Sequence, residues 1–296
     1  MGSVSVWFSF QRLQMAVPIA RRRTPFSRPN KGIEITRTRA CMGMAENLWL
    51  LEAAKHTVDT YIKNGMVVGL GSGHASKLAI QHLGQKLRAK KLKDIVGVPM
   101  SMSSASEAAE VGIPLDKYQD SSQIDFAFHD ANIMEEGSLV AVIGHQRPQG
   151  GDSFIQEKSI IKAAKSIVYI IEGKQYKGSF EGSIPVLVHT YNWMETAEEI
   201  DDLFLGDAEV WRRPFVGHAG PSGGDFPLVT REGFNVLDVI FTSSIPDLAA
   251  VAESLDKING VVDHGVVCGI QCRAVVVSEG GFRTIDNLPK DVVSDI

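Results

Sequence analysis

The chain has 296 residues, of which 44% are hydrophobic and 22% charged, and its formal net charge is −5. This length suits one large domain or two small ones, and the composition is that of an ordinary globular protein with a sizeable core. The acidic balance argues against nucleic acid or an anionic membrane as a partner, because both need a basic surface. A local cationic pocket for a phosphorylated metabolite is compatible with it.

The first 33 residues differ from the rest of the chain. They contain no Asp or Glu, six basic residues and several hydroxyl-bearing ones. An arginine-rich, acid-poor leader is typical of an organelle transit peptide, and a basic tail without structure is the alternative. We predict a transit peptide over residues 1–43. No run of about 20 apolar residues follows, so no membrane-spanning helix is predicted.

Helices and strands alternate in the first half of the chain. Apolar residues recur at helical spacing between Glu46 and Ile62. The next predicted elements are strand Met66–Leu70, a helix to Leu83 ended by Gly84, strand Asp94–Pro99, helix Ser103–Val111, strand Ile124–Phe128, the apolar run Leu139–Ile143, helix Phe154–Lys165 and strand Ser166–Ile171. This alternation predicts an α/β fold with a parallel sheet covered on both faces.

The pattern changes after Lys174. The predicted elements are strand Ile184–His189, helix Trp193–Leu203, strand Ala208–Phe215, strand Asn235–Phe241 and helix Ile245–Asn259, with a Gly/Pro loop at Gly217–Pro227. We interpret these as a smaller α+β domain over residues 179–272. Val275–Val277 is predicted to return to the first sheet, so the main domain would comprise residues 44–178 and 273–296.

A glycine-rich turn joins the first strand to the next helix. Gly69, Gly71 and Gly73 allow close backbone approach, and the N-terminus of the helix favours an anion. A dinucleotide fingerprint would need glycine at His74, and the Lys–Ser/Thr ending of a Walker loop is missing. We predict a phosphate-sized ligand, with Ser72 and His74 as further donors. A tight turn without a ligand is the alternative.

A second glycine-containing loop, with Gly150 and Gly151, precedes the helix that carries Glu157 and Lys158. In a doubly wound sheet, ligands collect at the carboxyl ends of the strands, so a glutamate reaching that edge is a candidate general base. The alternative is a solvated Glu–Lys pair. Cys268 and Cys272 are interpreted as small hydrophobic residues, because no neighbouring ligands complete a zinc set.

The order of these segments resembles the type A ribose-5-phosphate isomerases. The matching pieces are GLGSG (Gly69–Gly73), QGGDSFIQEK ending at Lys158, IIEGK ending at Lys174, IPVLV (Ile184–Val188), TREGFNVLDV (Thr230–Val239) and INGVVDHGVV (Ile258–Val267). The resemblance implies a Rossmann-like domain with an inserted smaller α+β domain. It also implies a homodimer, and the basic leader fits a chloroplast (stroma) version.

The resemblance implies interconversion of ribose 5-phosphate and ribulose 5-phosphate without a metal or cofactor. Glu157 matches the glutamate that moves the proton through an enediolate. The sugar-phosphate-binding set that we expect from the matches and their replacements comprises Gly71, Ser72, Gly73, His74, Asp130, Arg147, Gly150, Gly151 and Lys174.

Several family positions are changed in this chain. Where the family has D-G-A-D-E after the third strand, a gapless match puts His129 and Asn132 at the two aspartates. The family lysine of K-G-G-G falls at Pro148, beside Arg147. The serine and threonine after the first loop become His74 and Ala75, and an early-helix lysine becomes Leu51.

These changes leave two functions open. In the first, Arg147 replaces the lysine and His74 or His129 replaces lost hydrogen-bond partners, and the chain is an isomerase. In the second, it is a homologue that binds a sugar phosphate without turnover or with altered specificity. An arginine is a poor substitute for a lysine at a single oxygen, so a reduced rate is expected.

Overall fold

A computed structural model of the chain describes residues 47–119, 123–145, 154–215, 220–221, 226–245 and 247–287. The predicted transit peptide, Arg147, Gly150 and Gly151 lie outside the described residues. None of the helices in these ranges is long and apolar enough to cross a membrane.

Helices and strands alternate in the first part of the chain, as predicted. They are α1 (47–61), β1 (Val67–Leu70), α2 (His74–Arg88), β2 (Val96–Pro99), α3 (Met102–Val111), β3 (Phe126–Asp130), β4 (Ile133–Glu135), β5 (Ala141–Val142), α4 (Ile155–Ala163) and β6 (Ile167–Glu172), followed by a 3-10 turn (Gly173–Gln175).

Strands dominate the second part of the chain. The elements are β7 (Tyr176–Lys177), β8 (Phe180–His189), α5 (Trp193–Leu203), β9 (Ala208–Arg212), β10 (Phe234–Ile245), α6 (Leu248–Leu255), β11 (Val261–His264), β12 (Val266–Val267), β13 (Cys272–Ser278) and β14 (Gly281–Asp286). Helix α5 has the bounds that the sequence predicts, whereas β9 is shorter and β10 longer than expected.

The main sheet has six strands in the order β14-β13-β6-β3-β1-β2. Strands β13, β6, β3, β1 and β2 run parallel to one another, and β14 is an antiparallel edge strand. The predicted parallel α/β class is therefore confirmed. The return of Val275–Val277 is confirmed too, since these residues pair with Ile170–Glu172 of β6.

Successive residues of the buried strands serve opposite faces of this sheet. In β6, Ile167, Tyr169 and Ile171 belong to one apolar cluster with residues of α4, and Val168 and Ile170 belong to another with residues of α1 and α2. Because side chains alternate across a strand, a near-continuous apolar run is what a sheet covered on both faces requires.

A second sheet is antiparallel, in the order β11-β8-β10-β9, and forms a third apolar cluster with α5 and α6. All four strands fall within residues 179–272. The short strands β12, β5, β4 and β7 form a third sheet. The division into two domains at residues 178 and 272 stays a prediction.

Helix α2 does not end at Gly84, as the sequence suggested, but continues to Arg88. A Cβ atom on Gly84 would lie 2.5 Å from Cβ of Val111, at the end of α3. This glycine therefore permits α2 and α3 to pack closely, and it does not end α2.

We expect Gly84→Ala to lower the free energy of unfolding by about 1 kcal/mol or more. Overpacking costs about 1–3 kcal/mol, which exceeds the gain of about 0.5–1 kcal/mol in helix propensity. Urea unfolding measures the change. The double variant Gly84→Ala/Val111→Ala should lose less than the sum of its single variants, and strict additivity would contradict the packing explanation.

Candidate functional site

The candidate site lies where the order of the main sheet reverses. Strand β2 lies on one side of β1, and the later strands β3, β6 and β13 follow one another on the other side. The strand order therefore reverses between β1 and β3, which is the switch point. Ligands of open α/β sheets bind outside the carboxyl ends of the strands at this crevice. Ser72 and Asp130 lie there, one just after β1 and the other at the end of β3.

Glycine is required in the turn after β1 because β3 lies so close. A Cβ atom on Gly71 would lie 2.2 Å from the carbonyl oxygen of Phe128 and 2.6 Å from Cα of His129. A Cβ atom on Gly73 would lie 2.3 Å from Oδ2 of Asp130, and its φ of +121° is a left-handed conformation that favours glycine. The turn therefore brings the start of α2 against the end of β3.

Asp130 caps helix α2 from a distant part of the chain. Its Oδ2 accepts a hydrogen bond from Ala75 N at 2.8 Å, and its Oδ1 accepts from Ser76 N at 2.7 Å and Ser76 Oγ at 2.6 Å. The N-cap residue Gly73 has no side chain to do this. Burial raises the pKa of Asp130, while the bond from Ser76 and the nearby His129 act in the opposite direction.

This cap changes the expected use of the glycine turn. Free N–H groups at the start of α2 were predicted to hold a ligand anion, but the N–H groups of Ala75 and Ser76 bind the chain's own carboxylate. Asp130 was predicted to contact substrate, and both of its oxygens are already engaged. An incoming phosphate would therefore need other donors or would have to displace Asp130.

Glu157 lies in the first turn of α4 and is completely buried. Its Oε1 is 2.8 Å from Ser72 Oγ, and Ser72 Oγ is 2.7 Å from Oγ of Ser101, the N-cap residue of α3. The turn after β1 and the N-terminal ends of α3 and α4 thus converge on one carboxylate. A buried, oriented carboxylate at the switch point has the placement that a general base needs.

His129 faces the other oxygen of the same carboxylate. Its Nε2 is 3.5 Å from Oε2 of Glu157, and its Nδ1 is 2.6 Å from the carbonyl oxygen of Asp130. The side chain is 3% exposed. The sequence suggests His129 as a replacement for a lost hydrogen-bond partner of the site, and the structure places its side chain in the buried wall of the site.

The other predicted site residues are more exposed or lie elsewhere. His74 is the first residue of α2 and is exposed. Lys174 lies in the 3-10 turn after β6, at the same sheet edge, where its exposed ammonium pairs with Glu172. Asn132 Oδ1 accepts a hydrogen bond from His145 N at 3.3 Å. Arg147, Gly150 and Gly151 are outside the described residues.

Glu157 and Lys158 do not form the solvated pair that the sequence left open. Lys158 is 5% exposed, and its Nζ donates to Oδ1 of Asp263 at 2.5 Å and to the carbonyl oxygen of His264 at 2.7 Å. Burial lowers the pKa of Lys158, and Asp263 opposes that shift. This ion pair ties the first turn of α4 to strand β11.

His264 is held as a neutral imidazole beside this ion pair. Its Nδ1 accepts a hydrogen bond from Val266 N at 3.2 Å, so the ring proton is on Nε2, which is 3.1 Å from Oδ1 of Asp256. Burial, followed by the positive charge of Lys158, lowers the pKa of His264 from its usual 6.5 to about 4.

Of two site features that the sequence analysis missed, one had a local signal and the other had none. Ser101 and Ser104 form a capping box at the start of α3, where Ser101 accepts from Ser104 N, and a serine before a helix is the signal that could have found it. The approach of His129 to Glu157 had no local signal.

Cys272, at the start of β13, is buried, and burial raises the pKa of its thiol to about 11.

Replacing Asp130 should destabilise the protein through α2. We expect Asp130→Ala to lower the free energy of unfolding by about 2 kcal/mol, because three donors lose their acceptor. Ser76→Ala removes one of those donors together with its bond and should cost about 1 kcal/mol. Denaturant unfolding measures both, and equal losses in the two variants would contradict a capping role for the carboxylate.

Protonation of His264 should make stability depend on pH. The unfolded chain takes up this proton near pH 6.5 and the folded chain near pH 4, so stability present above pH 6.5 is lost as the pH falls to about 4. The loss from this group amounts to at most about 3 kcal/mol. We expect His264→Gln to flatten the dependence of the urea midpoint on pH across this window, and an unchanged slope would contradict it.

Known proteins resemble this chain in sequence and in fold. Residues 96–281 match the family model described as ribose 5-phosphate isomerase A (phosphoriboisomerase A). Ribose-5-phosphate isomerase A of Synechococcus sp. (strain RCC307) is 33% identical over 217 residues, which are 73% of this chain and 85% of that protein. The probable ribose-5-phosphate isomerase 3, chloroplastic, of Arabidopsis thaliana is 26% identical over 96% of this chain and 99% of its own length.

A solved D-ribose-5-phosphate isomerase in complex with phospho-erythronic acid superposes with a TM-score of 0.71 and 26% identity, covering 81% of this chain and 98% of that one. The Rossmann-like fold predicted from the sequence is therefore confirmed. The family match covers well over half of the chain, and the relatives match nearly their whole length. The chain belongs to the ribose-5-phosphate isomerase A family.

Proposed function

We propose that this protein interconverts D-ribose 5-phosphate and D-ribulose 5-phosphate, with Glu157 as the base. The observation that carries the proposal is the buried Glu157 carboxylate, held by Ser72 at the β1/β3 switch point. A matched structure of the family holds phospho-erythronic acid, a phosphorylated sugar acid. A sugar phosphate is accordingly the substrate class that the comparison supports.

The proposed chemistry needs one carrier for the proton that moves between the two carbons. Glu157 takes the proton from C2 of the open-chain aldose, and the electron pair forms the C1–C2 double bond while the carbonyl electrons pass to O1, which gives the enediolate. The O2 hydroxyl proton then passes to O1, and the same carboxyl group returns its proton to C1 as the C2 carbonyl forms. A carboxylate can do both steps because it is a weak base and its conjugate acid is a usable acid. Negative charge on the enediolate oxygens needs donors nearby, a role that we assign to Ser72 and to Arg147.

Burial of the base has two consequences. Exclusion of water limits loss of the reactive enediolate to side reactions. Because Glu157 is 0% exposed, a sugar phosphate contacts it only after neighbouring groups move.

The exposed ammonium of Lys174, at the same sheet edge, suits the substrate's phosphate, which remains distant from the reacting carbons.

A second candidate function rests on the Asp130 cap. Since Asp130 occupies the N–H groups of Ala75 and Ser76, the glycine turn offers a phosphate fewer donors than its sequence implies. The alternative is therefore a homologue that binds a sugar phosphate without turnover or with altered specificity. The same experiment separates the two.

We further propose a stromal location, with residues 1–43 as the transit peptide. The chloroplastic relative from Arabidopsis matches almost the whole chain, and the acid-poor leader has the composition of such a peptide. The division into a domain of residues 44–178 plus 273–296 and an inserted domain of residues 179–272 is part of the proposal. So are a homodimer and catalysis without a cofactor.

The decisive experiment assays ribose 5-phosphate with protein that begins at Met44. We expect turnover in the wild type and a loss of about 100- to 10,000-fold in Glu157→Gln, because the amide cannot accept the proton. Glu198→Gln makes the same chemical change at an exposed position of α5 and should leave the rate unchanged.

Other outcomes select the alternative or reject both. No turnover in either protein, with ribose 5-phosphate still raising the melting temperature, would favour the binding homologue. Turnover that survives in Glu157→Gln would show that another group is the base. If ribose 5-phosphate is neither converted nor bound, the isomerase and the non-catalytic ribose-5-phosphate binder both fail, and only a homologue with altered specificity is left.

A further inference from the structure

Two arrangements are open to the phosphate of a substrate that approaches the start of α2. The phosphate either displaces the Asp130 carboxylate or binds other donors. Oδ2 of Asp130 accepts from Ala75 N at 2.8 Å, and Oδ1 accepts from Ser76 N at 2.7 Å and from Ser76 Oγ at 2.6 Å. The burial, the space and the backbone around these donors decide between the two arrangements.

The donors that Asp130 binds are buried. Ala75 is 2% exposed and Ser76 is 0% exposed. A buried donor without an acceptor is costly, so the carboxylate leaves these groups only if another acceptor takes its place. A phosphate at the start of α2 therefore has to replace the carboxylate and cannot bind the same donors in addition to it.

The turn after β1 closes the space around the carboxylate. A Cβ atom on Gly73 would lie 2.3 Å from Oδ2 and 2.4 Å from Cγ of Asp130, and a Cβ atom on Gly71 would lie 2.8 Å from Oγ of Ser76. The backbone of the turn thus packs against the carboxylate and against one of its donors. A phosphate has four oxygens and is larger than a carboxylate, so it does not fit at these donors while the Asp130 side chain is present.

Strand β3 fixes the backbone of Asp130. Asp130 pairs with Ile170 of β6, and its carbonyl oxygen lies 2.6 Å from Nδ1 of His129. In the main sheet, β3 lies between β6 and β1. Because the strand is paired on both sides, only rotation of the side chain could withdraw the carboxylate from α2.

The attached carboxylate also has an advantage over a free anion. Carboxylate and phosphate both offer oxygen acceptors to N–H and O–H groups. A free phosphate loses translational and rotational freedom when it binds, whereas Asp130 is already held by its strand. For similar hydrogen bonds, the equilibrium at the start of α2 therefore favours the carboxylate.

We propose that Asp130 is a specificity-determining residue that excludes phosphate from the start of α2, so that a sugar phosphate in this crevice has its phosphate on other donors. The inference rests on the proposed function for its substrate class. Its consequence is that the donors of Ala75 and Ser76 become available to a phosphate only when the Asp130 side chain is removed.

Backbone-amide NMR of the full 296-residue chain tests the exclusion, with inorganic phosphate as the probe and sodium chloride at equal ionic strength as the reference. In the wild type, we expect phosphate to leave the Ala75 and Ser76 amide resonances unchanged. In Asp130→Gly, both resonances should shift saturably, because the glycine leaves the two N–H groups without their acceptor. Saturable shifts of these amides in the wild type overturn the proposal, whether or not the variant folds.

Melting temperatures give a second test. Phosphate should stabilise Asp130→Gly more than the wild type, with an apparent affinity higher by about tenfold or more. Adding Ser76→Ala removes one donor and should reduce this gain. Gly84→Ala weakens α2 at its contact with Val111 and leaves the cap in place, so it should respond to phosphate as the wild type does. A response of Asp130→Gly no larger than that of Gly84→Ala, or one that Ser76→Ala does not reduce, overturns the proposal.

These measurements separate the exclusion from the proposed function, because neither requires turnover. If the wild type does not convert ribose 5-phosphate, the isomerase function fails, and the phosphate response of Ala75 and Ser76 still decides the role of Asp130. If ribose 5-phosphate is converted while those amides shift with phosphate in the wild type, the function stands and the exclusion fails.

Discussion

The close approach of β1 and β3 is the constraint on which the candidate site depends. No side chain fits at Gly71, where a Cβ atom would meet the backbone of β3 at 2.2 Å. This contact brings the start of α2 to Asp130 and places Ser72 beside Glu157. A side chain at Gly71 would separate the strands, and the cap of α2 and the support of the base would be lost together.

The two carboxylates at this crevice are stabilised in different ways. Asp130 accepts hydrogen bonds from two backbone N–H groups and one hydroxyl at the positive end of a helix. Glu157 has a hydroxyl on one oxygen and an imidazole near the other. The first arrangement occupies both oxygens of a carboxylate that holds the start of α2, whereas the second places a hydroxyl and an imidazole against the candidate base.

Strand β11 of the second sheet also helps to position α4. Lys158 follows Glu157 directly and reaches the opposite way, to Asp263 and the backbone of His264 on β11. The first turn of α4 therefore has Glu157 facing the crevice and Lys158 bound to the second sheet. Since a buried charge without its partner is costly, the position of the candidate base depends on residues more than a hundred positions later in the chain.

The sequence by itself determined the α/β class, the return of the last strands to the first sheet, and the placement of Glu157 early in a helix at a sheet edge. Each follows from local periodicity, because alternation of apolar residues records which faces are buried. The bounds of α5 were predictable for the same reason. The family resemblance added the substrate class, which periodicity does not carry.

Only the tertiary structure decided what the turn and its neighbours contact. Asp130 caps α2 across 55 positions, Gly84 lies where two helices pack, and His129 reaches Glu157 from another strand. No local pattern records such contacts, because they depend on strand order and register. The sequence of the glycine turn thus predicts an anion at the start of α2. In the fold, the Asp130 carboxylate of β3 binds the N–H groups of Ala75 and Ser76 there.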